Sequence, residues 1–118
     1  MISITIRTGA WADPYVMSAL RVRTSIVAEF QAGRVHGQGR IRNLGLHGMF
    51  LGTEASLDTG EVVDLRFRMP KGQPIAVRGL VWWSTHDEPD RPHRVKGVGL
   101  RLIEDSEHYE KAFDELLR

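Results

Sequence analysis

Apolar and polar positions alternate with a period of two along most of the chain. Val22, Thr24, Ile26, Ala28 and Phe30 fall on one face of a run, with Arg23, Ser25, Val27, Glu29 and Gln31 on the other, the pattern of a strand half-buried in a sheet. A turn follows near Gly33. The next run, Val35 to Leu44, holds Gly37 and Gly39 in its interior, which marks a bulge, a bend or the close approach of a second backbone. Met49, Phe50 and Leu51 form a short apolar run. After the Asp58-Thr59-Gly60 turn, Val63, Leu65, Phe67 and Met69 alternate with Asp64, Arg66 and Arg68 and stop at Pro70. Lys71-Gly72-Gln73-Pro74 reverses the chain, and Ile75, Val77, Val81 and Trp83 are the predicted inner face of the returning strand. Residues 84 to 95 read as a polar loop containing Pro89 and Pro92, and Val98, Leu100 and Leu102 supply a last strand.

The period changes near the end of the sequence. Asp105 or Ser106 is the predicted N-cap of a helix whose Tyr109, Phe113, Leu116 and Leu117 make an i, i+4, i+7, i+8 stripe, with acids in the first turn where the helix dipole favours them. That stripe is expected to dock the helix on its own barrel. Glu107 and Lys111 add a weak i, i+4 pair. Short strands at regular spacing, separated by turn signals, predict a mainly β fold: a small antiparallel barrel with a C-terminal helix. At the other end Ile2, Ile4 and Ile6 alternate with Ser3, Thr5 and Arg7 before a break from Gly9 to Pro14. Residues 1–18 are read as an N-terminal extension to a barrel of residues 19–118. The extension can add a strand to an edge, cover one, or pair with a second copy in a homodimer.

Composition narrows the classes. With 118 residues, 42% hydrophobic and no cysteine, the chain has the material for one core and no disulfide or thiolate site. It contains no apolar run near the ~20 residues a membrane helix needs and no leader pattern, so a cytoplasmic location is expected. The net charge is +1, which does not point to a nucleic-acid binder, although a small barrel with arginines and aromatics on one face can hold single strands and would do so salt-dependently. Of the 16 basic residues 13 are Arg, and residues 21 to 42 carry Arg21, Arg23, Arg34, Arg40 and Arg42 against Glu29 alone. Arg suits planar recognition of phosphates and guanine edges; a solvated sheet face is the plainer reading.

Catalytic chemistry finds no support. The histidines are His36, His47, His86, His93 and His108, and no two have the spacing of a metal or triad motif. No metal, catalytic residue or cofactor is assigned, and the protein is read as not an enzyme. The most informative stretch is instead Arg42-Asn43-Leu44-Gly45-Leu46-His47-Gly48-Met49-Phe50-Leu51. An asparagine and two glycines there make either a ligand-facing corner, where glycine allows positive φ or a close approach, or an ordinary hairpin turn.

Taken in order, Leu20-Arg21-Val22-Arg23, then Asn43-x-x-x-x-Gly48 followed by Met49-Phe50-Leu51, then Gly60-x-Val62-Val63-x-Leu65, Val81-Trp82-Trp83 and Gly97-Val98-Gly99-Leu100-Arg101-Leu102 resemble the PilZ domain. The resemblance runs over residues 19 to 117. It implies a six-stranded barrel with a C-terminal helix and a role in bacterial cyclic di-GMP signalling, as receptor or as adaptor, with a protein partner in a motility, pilus or biofilm system.

The family binds cyclic di-GMP through two motifs, and this chain departs from both. The first is a pair of arginines four apart; Met17 or Ala19 stands where the partner of Arg21 or Arg23 belongs. Arginines there stack on guanine and fork onto phosphate, and losing one removes ~1–3 kcal/mol. The second is Asp/Asn-x-Ser-x-x-Gly, and Asn43 and Gly48 keep its ends while Gly45 replaces the serine. A lost hydrogen bond to a charged group is worth ~1.5–3 kcal/mol. The resemblance therefore implies a ligand site of Arg21, Arg23, Asn43, Gly45 and Gly48, with Arg42 and His47 as accessories, in an adaptor with weak or lost nucleotide binding. A competent receptor using Arg21 and Arg23 is the alternative. Trp82 is a further candidate, either a protein interface or a residue packed beneath the helix.

Overall fold

The computed structural model describes residues 3–6, 20–87, 95–104 and 107–118. Seven strands run in the order β1 (Ser3–Ile6), β2 (Leu20–Ala32), β3 (Val35–Leu44), β4 (Gly48–Gly52), β5 (Val62–Arg68), β6 (Pro74–Ser84) and β7 (Gly97–Leu102), followed by helix α1 (Glu107–Leu116); a 3-10 turn, Thr85–Asp87, follows β6. All pairings are antiparallel, in the order β1-β2-β3-β4-β7-β6-β5, and β5 returns to pair with β2. Strands β2 to β7 thus close a six-stranded barrel, which removes the free edges an open sheet would expose. The 13 residues of β2 make this closure possible. Its first four residues pair with β1, and Ala28 to Gln31 pair with β5.

Alternation sets the interior. Val22, Leu44, Met49, Leu100 and Val81 are successive cross-strand partners around the barrel, and each is at most 3% exposed. Burying each such side chain contributes ~1.5–3 kcal/mol. Helix α1 buries Tyr109, Ala112 and Phe113 on this core, with Tyr109 set edge-on to Phe67 at 6.5 Å between ring centroids. Gly33, Gly60 and Gly72 have φ of 59°, 95° and 99°, so the three predicted turns are those in which glycine alone is unstrained. Gly37 and Gly39 sit in β3, and at Gly39 the cause is close approach: a Cβ there would lie 2.6 Å from the Gly52 carbonyl oxygen.

One feature differs from the expectation, one selects between two stated possibilities, and one lies outside the described residues. Trp83 faces outward and is 41% exposed, because the register slips between Val81 and Trp83. One extra residue in a strand inverts the alternation beyond it, so Ser84, not Trp83, turns inward. Gly45 and Gly48 lie outside the left-handed region, so their role rests on space. Finally, the predicted N-cap at Asp105 or Ser106, the Gly9–Pro14 break and Pro89 and Pro92 lie outside the described residues.

Candidate ligand-binding face of the barrel

The β3–β4 corner is built by two backbone bonds and one from a side chain. Gly45 N–H donates to the Gly48 carbonyl at 2.8 Å, and Leu102 N–H donates to the His47 carbonyl at 2.9 Å. The hydroxyl of Tyr109 donates to the Gly45 carbonyl at 2.6 Å. Helix α1, strand β7 and the corner are therefore held together. Burial pushes the Tyr109 phenol up from its ordinary value, and the nearby Arg21 guanidinium partly offsets this, so the hydroxyl keeps the proton it donates.

Arg21 folds over this corner. Its Nη1 donates to the Gly48 carbonyl at 2.9 Å and, more weakly, to Asn43 Oδ1 at 3.4 Å. It occupies the space that a side chain at residue 45 would take: a Cβ on Gly45 would meet Arg21 Nη1 at 3.1 Å and both Cδ and Cζ at 3.2 Å. At Gly48 the obstacle is backbone, since a Cβ would sit 2.6 Å from the Leu100 carbonyl oxygen. The missing serine and the posture of Arg21 are thus two sides of one arrangement.

Arg23 is directly opposite Asn43 in the β2–β3 ladder, exposed on the face where Asn43 is half-buried. Register slips in β2 between Arg23 and Ile26 and in β3 between Ile41 and Asn43 leave both Arg42 and Asn43 outside the core. Arg21, Asn43, Gly45 and Gly48 thus come together, and Arg23 adjoins them. Arg42 lies farther along, its Nε 3.3 Å from where a Cβ on Gly52 would be. The His47 side chain is exposed.

The profile of the PilZ domain matches residues 16–118. The chain belongs to the PilZ domain family. Two solved structures share its fold at 17% identity. One is the Bacillus subtilis inhibitor of motility MotI/DgrA, with a TM-score of 0.64 over 82% of this chain and 49% of that one. The other is the PilZ domain of CeSA from a cellulose-synthesizing bacterium, with a TM-score of 0.56 over 81% of this chain and 92% of that one. This PilZ chain therefore spans about half the length of the motility inhibitor. No curated protein matches it in sequence.

Other groups on the PilZ barrel escaped the sequence reading. Arg101 is opposite Gly48 on β7, and its guanidinium carbon is 5.7 Å from the centroid of the half-buried Trp82 ring. Phe50 stacks with Trp83 at 5.4 Å and 28°. The Tyr109 hydroxyl was foreseeable in kind, since a tyrosine in a buried helix stripe needs a polar partner, but the partner is 64 residues away. Among the described residues no group of His, Asp and Glu is arranged to hold a metal ion, and no helix is long and apolar enough to cross a membrane.

A broad open cleft of about 1000 Å³ is lined elsewhere by Glu29, Asp64, Arg66, Arg78, Glu104 and Glu107, among others. Its carboxylates make it a poor site for a phosphate diester, and Arg78 is already bridged to Asp64 at 2.8 Å and to Glu104 at 3.1 Å.

Proposed function

We propose that this PilZ protein is a binding module of the cyclic di-GMP pathway that holds the nucleotide weakly and delivers its output through protein contacts. The observation that carries the reading is the posture of Arg21. A guanidinium that a ligand would use spends one arm on the Gly48 carbonyl, in space that the family's serine would fill. A ligand must displace or share that contact and gains no hydroxyl in return, and each lost bond to a charged group lowers affinity by roughly tenfold or more.

A receptor reading has its own support. Arg21 bonds to Asn43 and Arg23 stands opposite it, so two guanidiniums and an amide share one face although their sequence spacing is not the family's. On this reading the protein is a cytoplasmic, non-catalytic module whose partner belongs to a motility, pilus or biofilm system; the names of the two structural relatives carry motility and a cellulose-synthesizing source. Residues 1–18 then serve as an extension outside the PilZ barrel, with homodimer formation through it a further proposal; β1 occupies the edge of β2 beside Arg21 and Arg23.

Isothermal titration with cyclic di-GMP tests the nucleotide part, with Arg21→Ala and Asn43→Ala variants and GMP as control. Weak saturable heat, lost in both variants, is expected. Tight binding that survives Arg21→Ala would overturn the role given to Arg21.

A further inference from the structure

The outward face of the β2–β3 hairpin is divided by charge. Its ladder pairs include Arg23–Asn43, Val27–Arg40, Glu29–Gln38 and Gln31–His36, all exposed except the half-buried Asn43. On the β4 side, an open groove of about 550 Å³ is lined by Arg40, Arg42 and Lys96 against the single carboxylate of Glu54. On the β5 side, the cleft of about 1000 Å³ holds Glu29, Asp64, Glu104 and Glu107 against Arg66 and Arg78. Gln38 lines both, so the sign of the surface changes within one step of the ladder, ~7 Å.

The two flanks do not neutralise each other within the chain. Arg40 and Glu29 are diagonal neighbours in the ladder, yet Arg40 Nη1 turns the opposite way and donates to the Ser25 hydroxyl at 3.2 Å. Among the described residues neither the Glu29 carboxylate nor the Arg42 guanidinium has an ion-pair partner. Lys96 and Glu54 meet at 3.7 Å with both side chains well exposed, a contact of small worth that a partner can replace. Between the flanks Val27 is 50% exposed, an apolar spot at the border of acid and base.

We propose that this face is self-complementary and pairs with the same face of a second copy. A two-fold axis lying in the interface along the Val27–Gln38 diagonal sets Val27 on the partner's Val27 and Gln38 on the partner's Gln38. The same rotation exchanges the flanks, so Glu29 meets the partner's Arg40 and Arg40 meets the partner's Glu29, as an isologous contact requires. A nucleic acid or a uniformly acidic protein would complement the basic flank and be repelled by the other, whereas a reversed copy complements both. The barrel curves away on either side of the hairpin, so the contact is smaller than the ~800 Å² per partner of a standard interface. Association is therefore weak and salt-sensitive. The Arg23–Asn43 pair lies ~14 Å along β2 from Val27, which leaves the Arg21 corner of each copy open, and the pairing does not depend on nucleotide binding.

Sedimentation velocity on the full chain, in a concentration series up to ~1 mM at low salt, tests the pairing. A reversible dimer is expected that dissociates in ~1 M salt, where the screening length is ~3 Å. Arg40→Glu and Glu29→Arg should each weaken self-association by about tenfold or more, since each sets like charges against each other across the axis. A one-to-one mixture of these two variants should recover the dimer, because their altered faces are opposite in sign, and this recovery also shows that both variants fold. Val27→Asp should abolish the dimer and should not be rescued by either variant. A monomer throughout the low-salt series would overturn the proposal, as would a mixture that fails to recover the dimer. A dimer that both charge reversals leave intact would also overturn it, and would assign self-association to another surface.

Discussion

The Tyr109 hydroxyl donates to the Gly45 carbonyl at 2.6 Å, and this bond ties the C-terminal helix to the corner on which Arg21 rests. Tyr109→Phe keeps the ring packing against Phe67 and Phe113 but leaves a buried carbonyl without that donor. Such an orphaned acceptor costs ~1–3 kcal/mol. A lowered urea midpoint with unchanged denaturant dependence is expected, together with shifted backbone amide resonances at residues 44 to 48. An unchanged midpoint would mean that water replaces the hydroxyl.

Burial also fixes how alkali acts on the same residue. The folded Tyr109 phenol is raised above the ordinary value of 10.0. Below that pH it is neutral in both folded and unfolded states, and its contribution to stability is level. Above it the unfolded chain releases the proton while the folded chain keeps it, so stability falls as pH rises toward the folded value, by up to ~1.4 kcal/mol per pH unit. Urea midpoints taken from pH 8 to 11 should decline above pH 10, and Tyr109→Phe should flatten the decline. Equal slopes in the two proteins would show that Tyr109 ionises as freely folded as unfolded.

Gly45→Ser restores the family's hydroxyl and evicts Arg21. The predicted Cβ contacts, at 3.1 and 3.2 Å, are with the far end of a flexible side chain, which can move outward cheaply. The variant should fold with a stability change under ~1 kcal/mol. It should bind cyclic di-GMP more tightly by roughly tenfold, the worth of one hydrogen bond to a charged group. Gly45→Ala displaces Arg21 without adding the hydroxyl and so separates the two effects. Titration showing no gain in either variant would mean that Arg21 does not hold the site closed.

The barrel was legible because its strands obey one simple period, and the inward positions of β2 and β5 follow from it without exception. Trp83 was not, since a bulge is a property of the pairing between β6 and β7 and leaves no mark in the alternation of β6 alone. The Asn43–Gly48 corner stood out by composition, and of the two reasons a glycine offers there the structure selects close approach. Neither Gly45 nor Gly48 has the positive φ that a glycine in a turn suggests; each is small because another group lies against it. Those groups, Arg21 and the Leu100 carbonyl, come from distant parts of the chain. The same holds for Phe50, whose stack with Trp83 lies against Gly97 and Gly99, two strands' worth of sequence away. Contacts set by barrel closure are invisible to a local reading, and most of the candidate site consists of them.

Gly48 gives the sharpest contrast with Gly45. A Cβ there would stand 2.6 Å from the Leu100 carbonyl oxygen, which is backbone in the middle of the β4–β7 ladder, and the Leu100 side chain is buried in the core row. Nothing flexible can yield. Gly48→Ala must push β4 from β7, straining the Gly48–Arg101 and Met49–Leu100 pairings, and an overpacked interior of this kind costs ~1–3 kcal/mol. The same movement displaces the Gly48 carbonyl that accepts from both Gly45 and Arg21. Gly48→Ala should therefore lower the urea midpoint clearly while Gly45→Ala barely changes it, and it should weaken any cyclic di-GMP binding rather than strengthen it. Matching midpoints for the two alanine variants would show that β4 can shift without cost, and that the corner is held less firmly than its hydrogen bonds indicate.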